Sequence, residues 1–199
     1  MNHARMMQAA TSGLLVIDVQ EKLVATLSDR ERLLLNLNFL LDAAALFGIQ
    51  VQATEQYPRG LGATVPELAR RLPSRLDKLA FSCCALPEVP RRFWEAGRTQ
   101  ILVAGIEAHV CVLQTALDLL RRDFEVYIAI DAVSSRFASD KEIAARRLEQ
   151  AGCVLTSVEA AAFEWAGQAG TEAFRSLSKL IQERMRRLAE LPENTPWRC

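Results

Sequence analysis

Cys111 stands where an apolar run gives way to helical spacing, in Gly105-Ile106-Glu107-Ala108-His109-Val110-Cys111-Val112. Ile101, Leu102, Val103 and Ala104 read as a strand buried on both faces, and Val110, Leu113, Leu117 and Leu120 recur at helical intervals. A thiol in a first helical turn faces unpaired N–H groups and the positive end of the helix dipole, which favour thiolate over thiol. A nucleophile also needs a base and a charge to hold that base. Asp18 closes the apolar run Leu14-Leu15-Val16-Ile17, where a buried carboxylate is costly unless paired or employed. Lys78 lies in Leu76-Asp77-Lys78-Leu79-Ala80-Phe81 at the end of a weaker strand signal. Taken singly, Asp18 reads as well as a turn cap, Lys78 as a snorkelling surface lysine and Cys111 as a small buried residue. Together they offer a thiol, a carboxylate to take its proton and an ammonium to keep that carboxylate ionised.

Those three positions need a scaffold, and the chain supplies alternating strand and helix signals. Strands are predicted over residues 13–18, 49–54, 75–80, 100–106, 125–131 and 153–157. Helices are predicted over 29–47, 88–96, 141–151 and 171–188, besides the one that begins near Val110. Gly48 is placed as the left-handed cap of the first helix, and the stretch Tyr57-Pro58-Arg59-Gly60-Leu61-Gly62 is dense in turn formers. This alternation predicts an α/β fold, a three-layer αβα sandwich around a parallel, Rossmann-like sheet of about six strands. In such a sheet ligands bind beyond the carboxyl ends of the strands, which is where all three chemical residues fall.

Bulk properties narrow the class. A chain of 199 residues suits one domain, with no linker, repeat or low-complexity tract, a core over about 13–157 and a C-terminal helix over about 171–188. Lys plus Arg and Asp plus Glu are equal at 24 each, which gives no footprint for nucleic acid or a membrane surface. The Arg184-Met185-Arg186-Arg187 stretch, balanced by Glu183, Glu190 and Glu193, reads as a solvated helix face. No segment has the length of a membrane helix, and the first ten residues lack a signal-peptide core. The five cysteines form no C-x-x-C pair and read as reduced thiols of a cytoplasmic protein.

With these residues in place, the sequence resembles the isochorismatase-like cysteine hydrolases. The resemblance is carried by Leu15-Val16-Ile17-Asp18-Val19-Gln20, by Lys78 followed by Phe81-Ser82, and by residues 105–112 around Cys111, and runs from about 13 to 157. The loop from Thr54 through Gly62 resembles the isochorismatase domain-containing branch, whose substrates are poorly defined. The resemblance implies that Cys111 attacks a carbonyl carbon, that Asp18 takes its proton and returns it to the leaving amine, and that Lys78 holds Asp18 ionised. It also implies a cis peptide at Ile106–Glu107 and an oxyanion hole from the backbone N–H groups of Glu107 and Cys111. Nicotinamidases of the family carry a metal-binding Asp-x-His after the second strand; here Thr54-Glu55-Gln56 stands there, and the only histidines are His3 and His109, so no metal and no cofactor are expected. Isochorismatases proper lack the nucleophilic cysteine, so its presence favours a small amide, imide or related acyl substrate. The family commonly oligomerises, which makes a homo-oligomer the expected partner state.

Other residues carry plainer expectations. Gln20 is placed near Asp18, either hydrogen-bonded there or exposed to solvent, and Gln20, Tyr57 and Phe81 are the candidate pocket residues. His109 lies two residues from Cys111, a spacing that turns the side chains to different helix faces, so it is expected to cap the helix or border the pocket or an oligomer contact. Cys83-Cys84 reads as packing or pocket wall, because adjacent cysteines close a strained disulfide. Cys153 is expected in the core and Cys199 free at the terminus. Trp165 and the stripe Phe174, Leu177, Leu180, Ile181 and Leu188 fit monomer core, with a subunit interface as the rival. Two other functions compete: a catalytically silent binding or scaffold protein, and a dinucleotide-binding oxidoreductase. The second is poor, since residues 18–23 contain none of the glycines a phosphate-binding turn needs.

Overall fold

In the computed structural model, which describes residues 6–72 and 74–192, the strands form one parallel sheet. In chain order the main elements are β1 (Ser12–Ile17), α1 (Arg30–Leu46), β2 (Gln50–Gln56), β3 (Arg75–Lys78), α2 (Glu88–Glu95) and β4 (Gln100–Ile106). They continue with α3 (Leu113–Leu120), β5 (Glu125–Ser134), α4 (Ala138–Gln150), β6 (Val154–Thr156), α5 (Val158–Ala166) and α6 (Glu172–Glu190). The strand order is β3-β2-β1-β4-β5-β6, every neighbouring pair parallel. The chain therefore builds outward from β1 in one direction, then returns to lay β4 on the other side of β1. A crevice opens beyond the carboxyl ends at such a reversal, between β1 and β4.

Strand periodicity sorts the side chains between two cores. Leu14, Val16, Leu102, Ala104 and Ile106 join α1, α5 and α6 on one face, while Leu15, Ile17, Ile101 and Val103 join α2, α3 and α4 on the other. The last helix packs within the monomer: Leu177 is fully buried, with Leu180 and Ile181 against the same core and Phe174 tilted on Phe163 at 6.1 Å. Trp165 and Cys153 are buried as expected. Gly105 is required where β1 and β4 approach each other beside the crevice. Its φ is +114°, and a Cβ there would fall 2.1 Å from the Ile17 carbonyl oxygen.

Several features depart from the sequence reading; β5 runs on to Ser134 instead of ending at 131, and α4 starts at Ala138 instead of 141. β2 runs two residues further, because Glu55 and Gln56 pair with Asp77 and Lys78 of β3, and their polar side chains are satisfied internally. α5 was not expected; its Ala-rich segment shows little amphipathic contrast, although Ser157 caps it by accepting from the Ala160 N–H. Arg184 is not solvated. It donates to Asn36 Oδ1 (2.8 Å), Glu159 (2.8 Å) and Asp131 (3.2 Å) and lies over the Phe39 ring, tying α6 to α1, α5 and β5. Arg186 keeps the expected exposed pairing with Glu183 and Glu190. His3 and Cys199 lie outside the described residues.

Candidate active site

Each chemical residue follows a different strand at the same sheet edge. Asp18 comes one residue after β1, in the left-handed region (φ 53°), with no exposed surface. Its N–H donates to the Thr54 carbonyl at 3.1 Å and its carbonyl accepts the Gln20 N–H at 2.7 Å, which fixes the turn. Lys78 ends β3 and is almost fully buried, against the expectation for a lone surface lysine. Cys111 lies in a π-helical turn, Ala108–Val112, between β4 and α3 and is 5% exposed. The Ile106–Glu107 peptide that leads into this turn is cis.

The three side chains meet on the Asp18 carboxylate. Lys78 Nζ stands 2.6 Å from Oδ2, and Cys111 lies close enough for the Asp18 charge to raise its thiol. Lys78 has three protons and three acceptors: Asp18 Oδ2, Gln56 Oε1 at 2.7 Å and the Phe81 carbonyl at 3.0 Å. Burial draws the Lys78 ammonium down, but the Asp18 charge carries it above its ordinary value, so the cation persists. A buried pair of this kind is tolerable only with its remaining hydrogen-bond sites filled, as they are here.

Cys111 behaves differently from the sequence argument. The turn's N–H groups favour thiolate, yet burial pushes the thiol up and the neighbouring Asp18 charge pushes it further, with Lys78 drawing it back only in part. The resting group is a neutral thiol beside a carboxylate. A sulfur in this state needs a base to take its proton if it is to attack, and Asp18 is the carboxylate placed to do so.

The surroundings supply residues the sequence reading did not single out. The Thr54 hydroxyl donates to Asp18 Oδ1 at 2.8 Å, and Cys83 Sγ lies 3.4 Å from that hydroxyl. Gln56 fixes Lys78 as described. The available signal was register: parallel pairing sets Thr54 opposite Ile17, beside Asp18, and Gln56 opposite Lys78. Gln20 is neither exposed nor turned to a pocket. Its Nε2 donates to the Gln56 and Gly62 carbonyls and its Oε1 accepts the Gln56 N–H, so it braces the segment after β2. Tyr57 and Phe81 flank Lys78 through the backbone and are each half exposed; the Tyr57 ring also covers Gly60.

Glu55 accepts the Thr64 N–H (2.7 Å) and hydroxyl (2.6 Å) and pairs with Arg75 (2.9 Å), so it anchors the 57–72 segment. His109 Nδ1 is 3.0 Å from Ser135 Oγ, with Asp140 3.7 Å from Nε2. Glu107 accepts from the Arg136 N–H and Nε, so the residues either side of Ala108 are both tied to the segment after β5. A shallow groove of about 420 Å³ beside Cys84, Trp94 and Arg122 involves none of Asp18, Lys78 and Cys111.

The parallel sheet with helices on both faces defines a three-layer α/β protein that carries a buried acid, amine and thiol at one sheet edge. The chain belongs to the isochorismatase family, whose domain matches residues 12–160. It is 39% identical over 183 residues to a secreted isochorismatase effector of Phytophthora sojae, spanning 88% of this chain and 87% of that one. A solved structure described as the MAR1 ribonuclease of Caenorhabditis elegans superposes with a TM-score of 0.83 at 38% identity, over 89% of this chain and 93% of that one. YcaC of Escherichia coli, an octameric hydrolase of unknown specificity, gives a TM-score of 0.84 at 21% identity, over 96% and 98% of the two chains.

Proposed function

We propose that the protein is a cysteine hydrolase that cleaves a small amide-like C–N bond, or a related acyl bond, through a covalent thioester on Cys111. The observation that carries this reading is the fully buried Asp18 carboxylate, paired with the Lys78 ammonium at 2.6 Å and close enough to Cys111 to raise its thiol. Cys111 Sγ bonds to the substrate carbonyl carbon as its proton passes to Asp18. The negative charge gathers on the carbonyl oxygen, facing the Glu107 and Cys111 N–H groups as oxyanion hole. Collapse breaks the C–N bond while Asp18 returns the proton to the leaving nitrogen. Water then attacks the thioester, Asp18 takes its proton, and the acid departs as the thiol is restored. Lys78 keeps its charge throughout and orients Asp18.

The reading calls for no metal and no cofactor: Glu55, the carboxylate nearest the family's metal position, is committed to Thr64 and Arg75. Tyr57 and Phe81 form the walls that meet a small-molecule substrate. The protein acts as a homo-oligomer in the cytoplasm, where its thiols stay reduced. Half-exposed or exposed Tyr57, Leu79, Phe81 and Phe137 around this sheet edge support association, as does the octameric state of YcaC. The described helices include none long and apolar enough to cross a membrane.

The rival reading is a silent binding or scaffold protein, which has no need for a buried carboxylate and ammonium. Amine and ammonia release over a panel of small amides, imides and acyl esters separates the two, with RNA included because of the ribonuclease relative. Turnover of a C–N or acyl substrate that disappears in Cys111→Ala is the expected result. Inactivity across the panel, with alkylation of Cys111 unaffected by Asp18→Asn, favours the scaffold.

A further inference from the structure

The Asp18 oxygen that does not face Lys78 accepts the Thr54 hydroxyl at 2.8 Å, and the same hydroxyl oxygen lies 3.4 Å from Cys83 Sγ. Thr54 owns one hydroxyl proton, and an ionised carboxylate has none to give. That proton therefore points at Asp18, and in the second contact only the thiol is left to donate. Cys83 is suited to this. It is fully buried, its N–H is pinned to Thr115 Oγ1 at 2.9 Å, and burial followed by the Asp18 charge pushes its thiol up to about 12, so the proton stays on sulfur.

We infer that Cys83 is a positioning residue: its S–H donates to Thr54 Oγ, directs the Thr54 proton onto Asp18 and so holds the base facing Cys111. The chain of donors runs Cys83 to Thr54 to Asp18, and no proton needs to change owner along it. The inference deepens the hydrolase reading and rests on Asp18 acting as base. It also gives the Cys83-Cys84 pair a divided meaning: Cys83 belongs to the site, and Cys84 packs beside it, with its N–H on Ser82 Oγ.

Infrared spectroscopy of the S–H stretch reads the donor directly. The band lost in Cys83→Ala belongs to Cys83, and Thr54→Val should move it to higher wavenumber as its acceptor is removed. Iodoacetamide labelling of Cys111 near neutral pH reads the consequence. It should slow about tenfold in Thr54→Val, the scale of one lost hydrogen bond to a charged group, and severalfold in Cys83→Ala. Cys83→Ser, which keeps an O–H donor, should restore most of the rate. A Cys83 band unmoved by Thr54→Val overturns the inference, and so does a folded Cys83→Ser variant as slow as Cys83→Ala, which would assign Cys83 to packing. The hydrolase reading fails separately, if the wild type turns over no amide, imide or acyl ester of the panel; the S–H band still decides the direction of the Cys83 hydrogen bond.

Discussion

At the scale of single residues the site is a contest between burial and charge. Burial acts against the charged form of Lys78 and of Cys111; Lys78 remains charged because the Asp18 carboxylate beside it outweighs burial, and Cys111 remains neutral because burial and then the Asp18 charge both raise its thiol. Removing one member therefore exposes the desolvation cost of the others. Lys78→Met should lose about 3–5 kcal/mol in urea unfolding, since it strands the Asp18 carboxylate, whereas Cys111→Ala should change stability far less. Equal losses in the two variants would mean that the pair is not the electrostatic centre of the site. Asp18, Lys78 and Cys111 were legible because acid, amine and thiol each closed or followed a strand signal. Thr54, Gln56 and Cys83 were not, since their roles depend on which strands pair and in what register, information that local periodicity does not hold.

At the scale of elements, the clearest brace is Glu55 at the end of β2, which holds the 57–72 segment through Thr64 and Arg75. Burial alone would raise this carboxyl, but the Thr64 hydroxyl and N–H and then Arg75 bring it below its ordinary value of 4.5. A carboxyl lowered in the folded state contributes stability that is complete above about 4.5 and fades as pH falls through the folded value. Glu55→Gln should thus cost about 1–3 kcal/mol at pH 7, and the gap in melting temperature from wild type should close on acidification below pH 4.5. A gap independent of pH would show that packing, rather than charge, is what Gln fails to supply. The buried strands were readable as near-continuous apolar runs, a property of sheets covered on both faces. α5 was hidden because Val158, Ala161, Ala162 and Trp165 are buried in a segment whose exposed side is also largely apolar. Arg184 misled because a charge run on a helix is usually solvated, and only tertiary structure brings Asn36, Glu159 and Asp131 to it.

At the scale of the whole molecule, the parallel sheet gathers Asp18, Lys78 and Cys111 at one edge, and that edge exposes several large apolar side chains. Tyr57 and Phe81 are 51% exposed, Phe137 64% and Leu79 76%, all in segments that follow β2, β3 or β5. Light scattering should give a mass well above the 22.2 kDa of one chain, and Leu79→Glu should shift it downward. A monomer at every concentration would contradict the association. The three-layer architecture was readable from alternation alone, and the family resemblance supplied what alternation leaves open, the assignment of roles.

The central claim is that Cys111 forms a covalent acyl intermediate with Asp18 as its base. Intact-mass spectrometry of acid-quenched protein, after brief exposure to a turned-over amide, tests it most directly. The account predicts an adduct whose mass equals the acyl portion, mapped to Cys111 by peptide analysis, decaying with turnover and absent in both Cys111→Ala and Asp18→Asn. Turnover without an adduct, continuing in Cys111→Ala, would contradict it.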